Sequence, residues 1–337
     1  MTTQKHIVIK GFGSISPLGA SAKEVHQAYL QAYPAFQTQS INGSEVPVAA
    51  LSAENENLLT AIQQKNRLYR NLDRTVLLSI YAARQAMQQA GWNQEKEIAV
   101  NIGSSRGATG LFEQYFQDFQ ENPSRISSQA SPTTTLGNIS SWVANDLSFE
   151  GPVISHSVTC STALQALANG FAWLQSGMAK RYLAGAAEAP LTPFTIAQMR
   201  AIGIYSTTHT NNFWCRPLNR EKQNTFVLGE GAVLFALEQV ADIELTPESI
   251  ILEAIGFGFE KITSKTGISP EGNNFQKAIR NAIQQLPENN STIDAVVLHA
   301  PSTVAGDCAE IHALKTIFGN NLPVLTSNKF LIGHTLG

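Results

Sequence analysis

Three residues in this chain have the side chains and settings for nucleophilic chemistry. Cys160 stands at the junction of a β-branched run and an apolar helical pattern, GPVISHSVTC-STALQALANGFAWLQSG. A thiol at the start of a helix meets unpaired N–H groups and the positive end of the helix dipole, and both favour the thiolate. His299 closes the run IDAVVLH and opens the loop APSTVAGD, and His334 lies in SNKFLIGHTLG among glycines. Strand-to-loop junctions of this kind are where the active sites of open α/β sheets gather. A buried structural cysteine and isolated histidines are the commonplace alternative reading. His6, His26, His156, His209 and His312 lack such a setting.

Elements that could hold these groups are legible in the apolar spacing. The segments 6–10, 97–103, 152–159, 182–186, 226–238, 249–256 and 293–299 are predicted as strands. Segments 72–90, 161–176 and 274–286 are predicted as helices. The first helix rests on Leu72, Val76, Leu77, Ile80, Tyr81, Ala83 and Met87, at helical spacing and stopped by Gly91. Alternating strands and helices imply an α/β fold with helices covering a sheet. A soft boundary near 239–248 divides the chain. The two Gly-Phe-Gly triplets, at 11–13 and 256–258, lack the third glycine of a dinucleotide fingerprint and are predicted as turns.

Composition excludes several classes. The 337 residues are 43% hydrophobic and 15% charged with a net charge of -3, which suits a large folded core rather than disorder. Nothing in the global charge suits nucleic acid or a membrane surface. Three cysteines without CxxC spacing fit a reducing, cytoplasmic setting and no metal site or disulfide framework. No apolar run is long enough to span a membrane. The N-terminus is predicted as a strand, not a signal peptide.

Five segments together carry a family resemblance. SVTCSTALQAL resembles the nucleophile motif of β-ketoacyl-[acyl carrier protein] synthases. HAPSTVAGDCAEIHAL resembles their first histidine motif, and TSNKFLIGHTLG the motif in which a lysine lies five residues before a second histidine. CRPLNREKQNTFVLGEGAVLFALE and AGAAEAPLTPF are similar to the segments around the family's Gly-Glu-Gly strand and its Gly-Glu turn. The order is kept and the resemblance covers essentially the whole chain. A cysteine with two histidines looks like the elongating type.

The resemblance implies a thiolase-like five-layer αβαβα fold of two similar halves: 1–245 with the nucleophile, and an incomplete 246–337 with both histidines. It implies decarboxylative Claisen condensation of an acyl group on Cys160 with a malonyl thioester. Cys160, His299 and His334 would be catalytic, with Lys329 and Glu310 supporting them as a charge pair. No metal or nucleotide cofactor is implied, because the substrates ride on the phosphopantetheine of an acyl carrier protein. A homodimer, or a heterodimer with a related synthase chain, would pair along strand 152–159.

The resemblance further implies a glycine-rich strand beyond Gly337 that supplies an oxyanion N–H and a gating phenylalanine. The chain is therefore expected to be C-terminally truncated, with nothing after His334 to hold it, and residues 1–337 to be poorly active and prone to association. Ala300 and Pro301, where the family usually has glycine and threonine, and Asn219, where it often has aspartate, are expected to bear on substrate class. Phe226 lies in a family segment near the site and is assigned no chemistry. Two other readings stand beside this one. A non-catalytic chain-length subunit would usually lose the nucleophile. Gly103-Ser104-Ser105-Arg106-Gly107 matches the G-x-S-x-G elbow of serine hydrolases, with Ser105 as nucleophile.

Overall fold

The structure is a computed structural model, and residues 5–41, 43–207, 213–261, 268–287 and 292–337 are described. His209 lies outside them. The strands are β1 (Lys5–Ile15), β2 (Gln37–Ile41), β3 (Ser44–Val48), β4 (Ala99–Gly103), β5 (Val153–Ile154), β6 (Arg181–Glu188), β7 (Gly231–Ala241), β8 (Ile250–Ile251), β9 (Ala295–Val297) and β10 (Val324–Thr326). The helices are α1 (Ala22–Gln31), α2 (Ala53–Lys65), α3 (Arg74–Ala90), α4 (Thr109–Glu121), α5 (Ala130–Thr134), α6 (Asn138–Leu147), α7 (Thr162–Ser176), α8 (Pro193–Ala201), α9 (Asn273–Ile283), α10 (Val304–Phe318) and α11 (Lys329–Ile332).

Six strands form one mixed sheet in the order β5-β4-β6-β7-β1-β8. β4 runs parallel to β5 and β6, whereas β7 is antiparallel to both β6 and β1. Helix α3 covers one face. Asp73 caps its start by accepting from Thr75 N–H, and Gly91 ends it in the left-handed region. It buries Val76, Leu77, Ile80, Ala83 and Met87 beside Ile15, Ile102, Val143 and Leu234. Helix α7 covers the other face, with Ala166 and Leu174 packed among Ile7, Tyr182, Ala184 and Leu237. A second sheet pairs β9 and β10 in parallel, and Leu298, Ala300 and Leu314 form a core with Ile279, Ile311 and Phe318 of α9 and α10.

The Gly-Phe-Gly triplets are not turns. Gly11 and Gly13 lie inside β1, where α3 crosses so closely that a Cβ on Gly13 would collide with the Ala82 carbonyl. Gly256 stands in the same relation to the backbone of α9 at Ala278. Both glycine-bearing segments thus lie in close contact with the backbone of a crossing helix, α3 at Gly13 and α9 at Gly256.

Other expectations shift in extent. The segment 152–159 is ordered as a strand only at Val153–Ile154 and is largely exposed, because it forms the sheet edge, not its interior. The 226–238 strand starts at Gly231; before it, 226–229 makes isolated bridges to Tyr205, Ala49 and His334. Segments 249–256 and 293–299 contribute short strands, and the predicted helix 274–286 spans Asn273–Ile283. Helices 72–90 and 161–176 agree with α3 and α7 to within two residues.

The Gly-Glu-Gly element has a structural role. Glu230 is buried, accepts from Arg74 Nε at 2.6 Å and from Leu51 N–H at 3.0 Å, and Arg74 also grips Glu56. Removing one partner of such a pair strands a charge in the protein. Glu230→Ala is therefore expected to cost on the order of 3 kcal/mol, read as a lowered midpoint in chemical unfolding. A midpoint unchanged from the parent would mean that Arg74 finds water or Glu56 sufficient.

Candidate active site

Cys160 sits in a tight turn, Thr159–Ser161, that leads into α7. Thr159 has φ of 48°, a left-handed conformation that is strained for a β-branched residue. Thr162 locks the turn: its Oγ1 accepts from Val158 N–H at 2.9 Å and donates to Thr159 O at 2.6 Å. His156 braces it from behind, with Nδ1 2.9 Å from Asn101 Nδ2 and Nε2 3.0 Å from Thr162 O. Sequence reasoning gave His156 no setting; its structural role depends on a neighbour on β4.

His299 follows β9. Glu310, buried on α10, accepts from the backbone N–H of His299 at 2.8 Å and of Ala300 at 2.7 Å. Asp307, one turn earlier, accepts from Ser302 N–H at 3.0 Å and Leu218 N–H at 2.7 Å. The two carboxylates thus hold the 299–302 loop, where Ala300 and Ser302 have φ of 27° and 65°. Local strain of this kind persists only when neighbours over-determine it. Asp307 belongs to the motif HAPSTVAGDCAEIHAL but is given no role by the sequence alone, although its place three residues before Glu310 sets both on one side of α10.

His334 is 3% exposed. The expectation that nothing holds it is corrected. Its N–H donates to Val227 O at 2.8 Å, its carbonyl accepts from Gly229 N–H at 3.0 Å, and Phe226 stacks on its ring at 5.3 Å. Gly337 N–H donates to Glu188, and Gly337 O accepts from Ala163 N–H at the start of α7. The ring is oriented as well. Leu336 N–H donates to Nδ1 at 2.8 Å, so the neutral imidazole carries its proton on Nε2.

The fold brings the three predicted residues together. The Cys160 sulfur and one ring nitrogen each of His299 and His334 lie within 4.8 Å of one another, and the two rings meet edge-on at 5.1 Å. Lys329, half-buried at the start of α11, adds a positive field felt at all three. The expected charge pair acts only at a distance: Lys329 and Glu310 feel each other's charge, but among the described residues no salt bridge joins them, and the Glu310 carboxylate is taken by the two backbone donors. A thiol and two imidazoles are donors that zinc accepts. Here, however, the set comes without a carboxylate ligand and with an ammonium beside it, which opposes a dication.

Burial and Lys329 depress His299 to about 4, and His334 falls well below its ordinary value through burial, His299 and Lys329. Both rings are neutral donors near pH 7. The Cys160 thiol departs from the expected lowering. Although the residue is exposed, desolvation at the sulfur raises it, while Lys329 and Arg106 pull it down. Glu188, buried behind the site, is pushed up to about 7 by burial.

These shifts have a sign for stability. A histidine neutral in the fold but free to protonate when unfolded lets the unfolded state bind more protons below about 6.5, so stability falls with pH down to about 4. Glu188 acts oppositely between about 4.5 and 7. Replacing His299 by asparagine isolates the first effect. Between pH 7 and 5 the parent is expected to lose more stability than His299→Asn in urea titrations, and parallel losses would contradict the depressed value.

Comparison with known proteins agrees with this geometry. The family model "Beta-ketoacyl synthase, N-terminal domain" matches residues 4–242, and "Beta-ketoacyl synthase, C-terminal domain" matches 251–337. The chain belongs to the β-ketoacyl synthase family. It is 28% identical over 345 residues to 3-oxoacyl-[acyl-carrier-protein] synthase 2 of Staphylococcus aureus, covering 100% of this chain and 83% of that protein. The counterpart from Coxiella burnetii is 27% identical, with 99% and 83% covered.

Solved structures share the fold. A β-ketoacyl synthase from Burkholderia phymatum superposes with a TM-score of 0.81 at 24% identity, covering 99% of this chain and 83% of that one. A ketosynthase in complex with its chain length factor, from Xenorhabdus doucetiae, gives 0.80 at 23%, with 99% and 81% covered. A type II acyl-carrier protein in complex with its ketosynthase gives 0.83 at 21%, with 98% and 83% covered. The fold is thus the thiolase fold of the ketosynthases. In this β-ketoacyl synthase, the Ser105 loop backs the Cys160 turn, with the Ser105 backbone N–H bonded to Glu188 and its carbonyl accepting from Ser157; among the described residues no hydrogen bond joins the Ser105 hydroxyl to a histidine, as a hydrolase nucleophile would need.

No helix among the described residues is long and apolar enough to cross a membrane.

Proposed function

We propose that the chain catalyses decarboxylative condensation of an acyl group with a malonyl-acyl carrier protein, giving a β-ketoacyl-acyl carrier protein. The observation that carries this is the meeting of Cys160 with two neutral imidazoles, one of which has its proton fixed on Nε2 by the Leu336 N–H bonded to its Nδ1. The Cys160 sulfur bonds to the acyl carbonyl carbon. The carrier's C–S bond breaks and its thiol leaves with the proton. The malonyl thioester then loses its carboxylate as carbon dioxide, and the electron pair passes to an enolate. His299 and His334 donate to the enolate oxygen, where charge develops. The enolate carbon attacks the acyl carbonyl, the bond to Cys160 breaks, and the thiolate is restored.

Neutral imidazoles suit this step because burial, helped by the nearby Lys329, keeps them deprotonated while they retain their N–H donors. Glu310 and Asp307 are positioning residues that act through the 299–302 loop. The reading divides the chain into a half at 1–245 that carries the nucleophile and one at 246–337 that carries both histidines. It requires no metal or nucleotide cofactor and places the protein in the cytoplasm. Its partners are an acyl carrier protein and a second synthase chain, its own copy or a relative. The edge strand β5 with its exposed Val153, flanked by exposed Val158 and Leu164 beyond it, is where that chain pairs. A purely chain-length-setting role is disfavoured because the nucleophile and both histidines are present and assembled. Incubation with acyl- and malonyl-acyl carrier protein tests the reading. Carbon dioxide and a β-ketoacyl product in equal amounts are expected, and neither product forming would refute it.

A further inference from the structure

Behind the site, the backbone that carries His334 and the loop that backs Cys160 meet on one carboxylate. Glu188, the last residue of β6, is 1% exposed and lies in register with Gly231 of β7. Its Oε1 accepts the N–H of Ser105, on the loop between β4 and α4, and at 3.1 Å the N–H of Gly337, three residues past His334. Ser104 Oγ and the Arg106 N–H add to the donors around the carboxylate. The loop in turn grips the run that leads into Cys160. Ser104 N–H donates to His156 O at 3.1 Å, and Ser157 Oγ donates to Ser105 O at 3.2 Å. Gly337 O accepts from Ala163 N–H, in the first turn of α7, at 3.1 Å. Gly337 fits there only without a side chain, because a Cβ would collide with Glu188 Oε1 and stand 2.9 Å from Ser105 N.

We propose that Glu188 is a positioning residue that fixes Cys160 and His334 relative to each other, through one oxygen shared by the backbone of both segments. The inference rests on reading the site as a two-stage condensing centre. Buried N–H groups that lose their acceptor bear the full cost of desolvation, so the two segments would separate to find other partners. A catalytic group displaced by about 1 Å can lose rate by about 100-fold. The other oxygen, Oε2, has no partner among the described residues and borders a cavity of about 310 Å³ that Ser14, Asn328 and Thr335 also line. A glutamine would therefore keep the shared acceptor and turn its NH₂ toward that space. The clamp needs the acceptor oxygen and not the charge.

The test follows the two stages separately in Glu188→Ala and Glu188→Gln, with rates taken per folded protein. Acylation from acyl-acyl carrier protein, which joins the Cys160 sulfur to the acyl carbon and releases the carrier's thiol, is read by intact mass. Carbon dioxide release from malonyl-acyl carrier protein reads the second stage. Glu188→Ala is expected to slow both stages by about 100-fold, with KM for the acyl donor little changed because Glu188 lies behind the site. Glu188→Gln is expected to return both stages to near the parental rate. Gly337→Ala drives a methyl group against Oε1 while leaving Glu188 in place, and it should slow both stages as well. Where Glu188→Ala does not fold, as judged by circular dichroism, Gly337→Ala and Glu188→Gln decide. Parental rates in Glu188→Ala or in Gly337→Ala would overturn the inference. So would slowing of one stage alone, since a shared clamp must move both. Glu188→Gln as slow as the alanine variant would overturn it too, by assigning the effect to charge. A parent that takes up no acyl group would refute the reading of the site and the inference with it.

Discussion

Replacing Cys160 by alanine is expected to abolish acyl transfer to the protein and to lower condensation by at least about 10⁴-fold, the scale of losing a catalytic nucleophile. The other two thiols cannot take over. Cys215 is buried against Ser302 Oγ at 3.0 Å, and burial pushes its thiol up to about 12. Cys308 is exposed on α10, outside the cluster of Cys160 with both histidines. Stability should change little, since Cys160 is itself exposed and contributes little to the apolar core. Acyl-carrier protein carrying a labelled acyl group checks this: label should pass to the parent and not to Cys160→Ala. Transfer to the variant at the parental rate would move the nucleophile elsewhere.

The second large effect concerns the histidines. His334→Ala removes an Nε2–H donor aimed into the site, and His299→Ala removes its neighbour. Each is expected to slow malonyl decarboxylation by about 100- to 1000-fold, as losing an oxyanion-type donor does. Acylation of Cys160 should persist in both, because enolate stabilisation belongs only to the later stage. The double variant should fall by less than the product of the two, because the donors act on one oxygen. His334→Ala also strands the Leu336 N–H in a buried place, so a further loss of about 1–3 kcal/mol in stability is expected. His334→Gln serves as the control that restores a polar side chain. Carbon dioxide release unchanged in both alanine variants would remove the histidines from the mechanism.

The sequence made some of this legible and not the rest. Helices α3 and α7 could be placed because their apolar faces and terminal glycines are local signals. Cys160, His299 and His334 could be placed together only through the resemblance, since no spacing rule brings residues 160, 299 and 334 to one point. What escaped notice was contact across elements. Gly13 looks like a turn residue until α3 is laid across it. His156 looks idle until Asn101 and Thr162 meet its two nitrogens. The resemblance implies Lys329 and Glu310 as a charge pair, but the backbone donors of His299 and Ala300 reach the carboxylate first. Glu188 and Arg106 sit in a short glycine-bearing stretch and a generic turn. Only the packing of that loop on the Cys160 turn gives them meaning. Strand 152–159 misled because β-branched residues suit a sheet edge as well as a sheet interior.

The most direct test of the central claim is peptide mapping of the 337-residue protein after incubation with acyl-carrier protein bearing a mass-labelled acyl group. The acyl mass is predicted on the peptide containing Cys160, and its loss on adding malonyl-acyl carrier protein should match the β-ketoacyl product formed. An acyl mass on Ser105, or an adduct at Cys160 that malonyl-acyl carrier protein does not discharge, would contradict the account.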